Sequence, residues 1–270
     1  MCFGEKKNKK YKVGLALGSG GARGLAHIGV IKVLLENNIP IHCIVGSSIG
    51  ALIGGIYATT GDVSEVEKIA RGNNWRQLLD LMWDPTLKGG LNGGKKIEMF
   101  IRKQINGVNF SDLKMRFAAV ATNFETGEPV VMKTGDVTLA IKSSLSVPII
   151  FNPVEFNGKI LVDGGLSEPV PVDAVRKLGA DFVIAVNLDN CHLVKKKKIG
   201  FFEAVEDSLS ILRHHLSKEK VKAADILVEP KVFPQSLIGW RQFMESDKFI
   251  AEGERAMRAA LPKLKKLIGM

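Results

Sequence analysis

The chain opens with two short apolar segments, and a glycine-containing turn and a helix-like segment follow each of them. Tyr11–Leu17 is β-branched and aliphatic and runs into Gly18-Ser-Gly-Gly21, which predicts a buried strand entering a tight turn. Apolar residues then recur at helical spacing through Ala22–Asn37, and the pattern repeats with the strand-like Ile41–Val45 and the helix-like Ile49–Thr59. This alternation predicts an α/β fold, a three-layer α/β/α sandwich with a mostly parallel central sheet.

The rest of the chain continues this pattern after an interruption. Further strands are predicted at Met115–Asn123, Pro129–Lys133, Ile160–Asp163, Asp181–Leu188 and Ile226–Glu229, and helices at Val137–Ser144, Pro171–Leu178, Phe202–Ala224 and Ser246–Ile268. Between residues 61 and 111 the pattern is mixed and includes Trp75 and Trp83, so we expect a lid or insertion there. We therefore expect a basic tail over residues 1–11 and a single domain over 12–270, in which residues 200–270 form the C-terminal helices.

Composition places the chain among globular proteins. Of its 270 residues, 46% are hydrophobic and 24% charged, which argues against disorder and against a disulfide scaffold. The uncharged run Ile39–Gly61 contains Pro40 and a glycine turn, so a strand followed by a buried helix explains it better than a membrane span. Three cysteines without metal-like spacing, and the lack of an apolar leader after the basic first residues, predict a cytoplasmic protein.

The formal net charge of +10 is the one unusual global number. Lysines are concentrated in the N-terminal tail, in the run Lys195–Lys198 and near the C-terminus at Lys263, Lys265 and Lys266. These lysines either form solvated ends and loops or contact an anionic phospholipid surface at the membrane periphery. No zinc spacing, helix-turn-helix pattern or aromatic-basic interleaving accompanies them, so we expect no nucleic-acid partner.

The first glycine loop does not match the nucleotide-binding patterns. A dinucleotide fingerprint that begins at Gly18 finds Gly20 but then Arg23 in place of the third glycine, and no Gly-Lys-Ser/Thr follows. Small residues at a helix N-terminus gather backbone N–H groups, which can bind a phosphate or stabilise an oxyanion. The alternative is a tight turn that only packs a helix against a strand.

A second motif, Gly46-x-Ser48-x-Gly50, stands between an apolar strand and an apolar helix. This is the context of a nucleophile elbow, in which a strained turn exposes the serine hydroxyl above the sheet. Ser48 is therefore a candidate nucleophile, and Gly46 and Gly50 would permit the turn. In the alternative interpretation, Ser48 is a simple helix cap.

A serine nucleophile needs a base, and the five histidines offer few candidates. His27 and His42 lie upstream of Ser48, so neither fits the usual chain order of serine, aspartate and then histidine. His192 alone follows a strand end in that order. We expect His214 and His215 to be solvated on a charged helix. A carboxylate is the other option: Asp163 ends an apolar run and precedes Gly164-Gly165, although Asp-Gly-Gly also occurs in ordinary hairpins.

Four segments together resemble the patatin-like phospholipase family, in particular its small bacterial members. They are LGSGGARGLAHIG at 17–29, GSSIG at 46–50, SVPIIF at 146–151 and VDGGLSEPV at 162–170. The resemblance covers residues 12–188 well and the C-terminal helices more loosely. It implies a patatin-like α/β hydrolase fold and a lipid acyl hydrolase that acts on phospholipids or lysophospholipids without a cofactor or metal.

The resemblance also implies roles for individual residues. Ser48 is the nucleophile and Asp163 its dyad partner; the amides of Gly20, Gly21 and Ala22 form the oxyanion hole, and Arg23 and Gly24 support the loop. Ser19 stands where the family usually has a further glycine. Two other functions stay open: a soluble carboxylesterase or acyl-thioesterase, and a non-catalytic lipid-binding regulator.

Overall fold

The computed structural model describes residues 11–72, 93–148, 150–190, 200–232 and 245–270, and eight strands in this part of the chain form one sheet. The strands are β1 (Val13–Leu17), β2 (Ile41–Ser47), β3 (Arg116–Asn123), β4 (Pro129–Met132), β5 (Val154–Phe156), β6 (Lys159–Asp163), β7 (Phe182–Val186) and β8 (Ile226–Val228). The α-helices are α1 (Ala26–Glu36), α2 (Ile49–Thr60), α3 (Val63–Arg71), α4 (Gly93–Ile105), α5 (Val137–Ser144), α6 (Val172–Lys177), α7 (Phe201–Lys220) and α8 (Ser246–Ile268).

The sheet has a parallel centre and an antiparallel margin. Hydrogen-bonded neighbours follow the path β5-β6-β3-β2-β1-β7-β8, and β4 also pairs with β3. The strands β3, β2, β1, β7 and β8 are parallel to one another. β4 and β6 run antiparallel to β3, and β5 runs antiparallel to β6. The predicted α/β fold with a mostly parallel sheet is thus confirmed.

Side chains of the central strands alternate between two apolar layers. Leu15 and Leu17 of β1 belong to the layer that contains residues of α1, α2 and α8, whereas Ala16 belongs to the layer that contains residues of α6. Successive residues of a strand point to opposite faces, so a strand covered on both faces reads as one continuous apolar run. This is why the apolar run at Tyr11–Leu17 predicted a buried strand correctly, and why helices cover both faces of the sheet.

One edge of β3 carries both strands that end at the candidate site. Ser47 of β2 pairs with Val120, and Asp163 of β6 pairs with the adjacent Ala121. β4 pairs with Ala119–Thr122 and so occupies the other edge of β3, since a strand has only two edges. β2 and β6 therefore follow one another along a single edge, with their C-terminal ends at the same point.

Helices α1 and α8 run parallel at unusually close approach. A Cβ placed at Gly253 would overlap the carbonyl group of Ala26, and a Cβ at Gly29 would overlap the backbone of α8. At the other end of the pair, the Arg258 guanidinium donates to Glu36 at 2.8 Å. The C-terminal helix is thus packed on the domain along the length of α1.

The segment in which we expected a lid is described only in part. Its first portion contains α3, which contacts α1, α2 and α8, and its last portion contains α4, whose Ile101 and Ile105 are fully buried. Trp75, Trp83 and the rest of 73–92 lie outside the described residues, so the lid stays a prediction. The tail over residues 1–10, Cys191 and Lys195–Lys198 also lie outside them, whereas Cys43 is a buried free thiol.

Candidate active site

Ser48 occupies a strained turn between β2 and α2. Its φ of 54° and ψ of −123° lie in a region that L-residues rarely adopt, at a cost of roughly 1–3 kcal/mol. A Cβ at Gly46 would overlap the backbone of Gly50, and a Cβ at Gly50 would overlap the carbonyl group of Leu17. The two glycines are thus required by the tightness of the turn, which the Ser48 N–H also fixes by donating to Ser144 Oγ at 2.8 Å.

The Ser48 hydroxyl donates directly to Asp163 Oδ2 at 2.5 Å. The two residues are 115 positions apart in the chain and meet because β2 and β6 end together on β3. The second oxygen, Asp163 Oδ1, accepts from the Gly165 N–H at 2.8 Å. The carboxylate is therefore held by the backbone on one side and faces the serine on the other.

Burial is the largest influence on the acidity of Asp163. The residue is 5% exposed, and loss of hydration raises the pKa of its carboxyl to about 6. The hydrogen bonds from Ser48 and Gly165 and the positive charge of Arg213 act in the opposite direction, whereas the charge of Asp189 adds to the rise. A carboxylate with this pKa is ionised at pH 7 and still basic enough to take a proton.

The glycine loop lies against the nucleophile turn. It leads into a 3-10 turn at Gly21–Leu25, and a Cβ at Gly24 would overlap the side chain of Ile49, the residue after Ser48. In the described part of the chain, no group accepts a hydrogen bond from the N–H of Gly20, Gly21 or Ala22. These amides at the start of a helical turn are therefore available to an anionic oxygen.

Arg23 is buried beneath this loop. Its Nε donates to the Gly20 carbonyl oxygen at 3.1 Å, and its two terminal nitrogens donate to the Leu188 carbonyl oxygen at 2.6 Å and to Asp189 Oδ1 at 2.7 Å. The side chain thus ties the loop to the segment that follows β7. Its contacts join it to the loop, and none joins it to Ser48 or Asp163 in the described structure.

The described histidines do not contact the dyad. His27 is fully buried and its Nε2 donates to the Gly18 carbonyl oxygen at 2.8 Å; burial lowers its pKa to about 4, so it is neutral at pH 7. His215 is exposed, but the expectation that His214 is solvated is wrong: it is 5% exposed, and its Nδ1 donates to the Asp189 carbonyl oxygen. His192 lies outside the described residues.

Two residues near the site were missed by sequence reasoning. Asp189 stands three positions after the end of β7, and Arg213 lies on α7; both are buried and in contact with each other. A signal for Asp189 was present, because a carboxylate directly after a buried parallel strand lies at the edge where sites form. Nothing in the helical pattern of α7 singled out Arg213.

Comparison with known families decides the classification. The family model described as patatin-like phospholipase matches residues 15–176, which include the glycine loop, Ser48 and Asp163. The chain belongs to the patatin-like phospholipase family. The resemblance inferred from its motifs is thereby confirmed.

Curated relatives of this patatin-like protein match about two thirds of its length. An uncharacterised NTE family protein of Mycobacterium bovis is 38% identical over 179 residues, 66% of this chain and 49% of the relative. Lysophospholipase nte1 of Aspergillus fumigatus is 37% identical over 182 residues, 65% of this chain and 12% of the relative. The patatin-like chain thus spans about half of the first relative's length and a small part of the second's.

Solved structures with the same fold are distant in sequence. VipD from Legionella pneumophila aligns with a TM-score of 0.54 at 14% identity, covering 94% of this chain and 67% of VipD. The type III effector ExoU aligns at 0.51 and 14% identity, covering 94% of this chain and 53% of ExoU. These likenesses establish the patatin fold. In the described residues of the patatin-like chain, no helix combines the length and apolarity needed to cross a bilayer.

Proposed function

We propose that this chain is a serine acyl hydrolase that cleaves fatty-acyl esters of phospholipids or lysophospholipids through a Ser48–Asp163 dyad. The observation that carries the proposal is the 2.5 Å hydrogen bond from Ser48 Oγ to Asp163 Oδ2 at a strained strand-to-helix turn. A helix cap would instead bond its hydroxyl to the first turn of its own helix, and Ser48 makes no such bond.

The first half of the reaction forms an acyl-enzyme. Asp163 takes the proton from Ser48 as the oxygen attacks the ester carbonyl carbon. The tetrahedral oxyanion is stabilised by the open amides of Gly20, Gly21 and Ala22, each worth about 3 kcal/mol in comparable sites. The C–O bond to the alcohol part then breaks, and the departing oxygen receives the proton from Asp163.

The second half releases the fatty acid. Water gives a proton to Asp163 and attacks the acyl carbon, and the same amides stabilise the second oxyanion. When the bond to Ser48 Oγ breaks, the proton returns from Asp163 to the serine. One carboxylate thereby serves as base and acid in both halves, which suits a group whose pKa lies at about 6.

The lipid part of the proposal has support from names rather than from geometry. The matching family model is described as a phospholipase, and the fungal relative is named a lysophospholipase. Both point to an acyl ester of a glycerophospholipid as the substrate. The cytoplasmic location and contact with an anionic membrane surface stay predictions.

The described basic residues limit how such a contact could form. Lys265 donates to Asn37, just past the C-terminal end of α1, whereas the glycine loop precedes its N-terminal end. The lysines at the end of α8 therefore lie at the far end of α1 from the glycine loop, about 16 Å along an 11-residue helix. A contact that these lysines make with an anionic surface would therefore be separated from the glycine loop by the length of α1.

A fluorophosphonate probe tests the chemistry independently of the lipid. We expect stoichiometric labelling of Ser48 in the native chain, none in Ser48→Ala, and strongly slowed labelling in Asp163→Asn. Labelling that persisted in Ser48→Ala would place the nucleophile elsewhere, and an unlabelled but folded native chain would favour a non-catalytic lipid-binding protein.

A mixed lipid extract tests the substrate class. Incubation with the native chain and with Ser48→Ala, followed by mass spectrometry, should show fatty acids and lyso-lipids that appear only with the native chain. Hydrolysis of short soluble esters or acyl thioesters without any release from vesicles would replace the lipase assignment with a soluble esterase or thioesterase.

A further inference from the structure

A buried carboxylate lies between two guanidinium groups beside the proposed active site. Asp189 is 4% exposed; its Oδ1 accepts from Arg23 at 2.7 Å, and its Oδ2 lies 3.4 Å from Arg213 Nε. The Ser19 hydroxyl is also 3.4 Å from Oδ2. Burial alone would raise the pKa of Asp189, but the charges of Arg213 and Arg23 hold it below its usual value.

The group connects three separate parts of the chain. Arg23 belongs to the turn after β1, Asp189 to the segment after β7, and Arg213 to α7. His214, next to Arg213, donates from Nδ1 to the main-chain oxygen of Asp189, so α7 holds both the side chain and the backbone of this residue. The segment after β7 is thereby fixed against the glycine loop.

The charges of this triad do not balance. Two guanidinium groups face one carboxylate, and among the described residues no other acidic side chain lies within ion-pair distance of Arg23 or Arg213. A purely structural ion pair would need one arginine. An excess positive charge in a buried place costs free energy unless it faces a negative group, and here the charge lies close enough to influence Asp163.

We propose that Arg213 and Asp189 are positioning residues of the active site, which orient the oxyanion loop through Arg23 and supply a net positive charge beside the dyad. The inference rests on the proposed function of Ser48 and Asp163. Asp189 fixes Arg23, and Arg23 holds the Gly20 carbonyl oxygen, so that the adjacent amides face the reacting carbonyl. Arg213 adds the charge that favours the ionised base and the developing oxyanion.

The groups around the Asp163 carboxylate define the electrostatic part of the test. Ser48 faces it from the start of α2, Gly165 from the turn after β6, Arg213 from α7 and Asp189 from the end of β7. Removal of the Arg213 charge takes away a positive charge near Asp163 and leaves the negative charge of Asp189 less neutralised. Both effects disfavour the ionised form of Asp163. The pH at which the dyad becomes active should therefore rise.

The experiment measures the rate of fluorophosphonate labelling of Ser48 against pH. We expect Asp189→Asn to slow labelling on the order of 100-fold, the effect of a catalytic group misplaced by about 1 Å. Arg213→Gln should move the acid limb of the profile to higher pH by roughly one unit, whereas Arg213→Lys keeps the charge and should leave the limb in place. In ester hydrolysis, kcat should fall while KM stays near the native value.

Arg176→Gln is the matched control. Arg176 makes an ion pair with Asp225 at 2.9 Å and donates to the main chain just before β7 and β8, whereas Asp189 follows the C-terminal end of β7, so Arg176 shares the chemistry but not the location. It should leave rate and profile unchanged. If Arg213→Gln is labelled at the native rate and the acid limb of its pH profile does not move, the inference is overturned while the proposed function stands. If the native chain itself is not labelled, both are overturned. If Asp189→Asn fails to fold, the Arg213→Gln and Arg213→Lys pair decides alone.

Discussion

Asp163 is predicted to be a residue that the fold would be more stable without. It is buried and its carboxyl pKa is raised from 3.8 to about 6, so the folded state prefers the protonated form. In Asp163→Asn the charge disappears but the hydrogen bonds have replacements. The amide oxygen can accept from the Gly165 N–H, and the amide nitrogen can donate to Ser48 Oγ.

The size of the effect follows from the pKa difference. A shift of about two units, at about 1.4 kcal/mol per unit, makes ionisation of Asp163 cost the folded state about 3 kcal/mol at pH 7. Because the folded pKa is raised, the favourable contribution is complete below the unfolded pKa of 3.8 and is lost as pH rises through about 6. Asp163→Asn should therefore be inactive yet more stable at pH 7.5, and should lose its advantage near pH 4.

Urea unfolding followed by circular dichroism at pH 7.5 and pH 4.5 measures this difference. Ser48→Ala is the matched control, because it removes the nucleophile and keeps the carboxylate. Loss of the Ser48 hydrogen bond raises the pKa of Asp163 further, so the stability of this control should fall with rising pH at least as steeply as that of the native chain. The reasoning would be refuted if the stability difference between Asp163→Asn and the native chain were the same at both pH values. It would also be refuted by an Asp163→Asn chain less stable than the native one at pH 7.5.

Three further predictions concern the same parts of the molecule. Hydrolysis of a fluorogenic ester should rise with pH around a midpoint of about 6, since Asp163 must be ionised, and a midpoint near pH 4 would contradict a desolvated base. Ser48→Gly should be more stable to urea than Ser48→Ala, by about 1–2 kcal/mol in the free energy of unfolding, because only glycine adopts a φ of 54° without strain. Equal stability of the two variants would rule out strain at the turn. Gly253→Ala should cost about 2 kcal/mol because its Cβ would overlap the Ala26 carbonyl group, whereas Gly94→Ala, with nothing closer than 3.7 Å, should not.

Sequence reasoning was strongest where structure is local. The strand-turn-helix pattern around Ser48 and the loop at Gly20 depend on residues within one short segment, and hydrophobic periodicity reports such segments directly. The long C-terminal helix was predicted with its observed bounds, Ser246–Ile268, for the same reason. By contrast, β5 at Val154–Phe156 has three residues and no periodicity that could be recognised.

The residues around Asp189 show what sequence reasoning could not provide. Their proximity depends on β7 lying next to β1 and on α7 packing against the segment after β7, and neither arrangement leaves a trace in local patterning. The same limitation explains His214. A polar helix with alternating charges predicts solvation, whereas the backbone oxygen of Asp189 gives this histidine a buried partner.

The topology also supports the proposed dyad in place of a triad. A histidine base needs a third group to orient it, whereas Asp163 is oriented by the Gly165 N–H two residues along its own chain. The carboxylate comes this close only because Gly164 lacks a side chain, since a Cβ there would overlap the carbonyl group of Val120. With Ser48 Oγ already 2.5 Å from Asp163 Oδ2, no ring can stand between them. Gly164 and Gly165 also fit an ordinary hairpin by sequence alone. In the proposed mechanism they let the Asp163 carboxylate act without the histidine and the orienting acid of a triad.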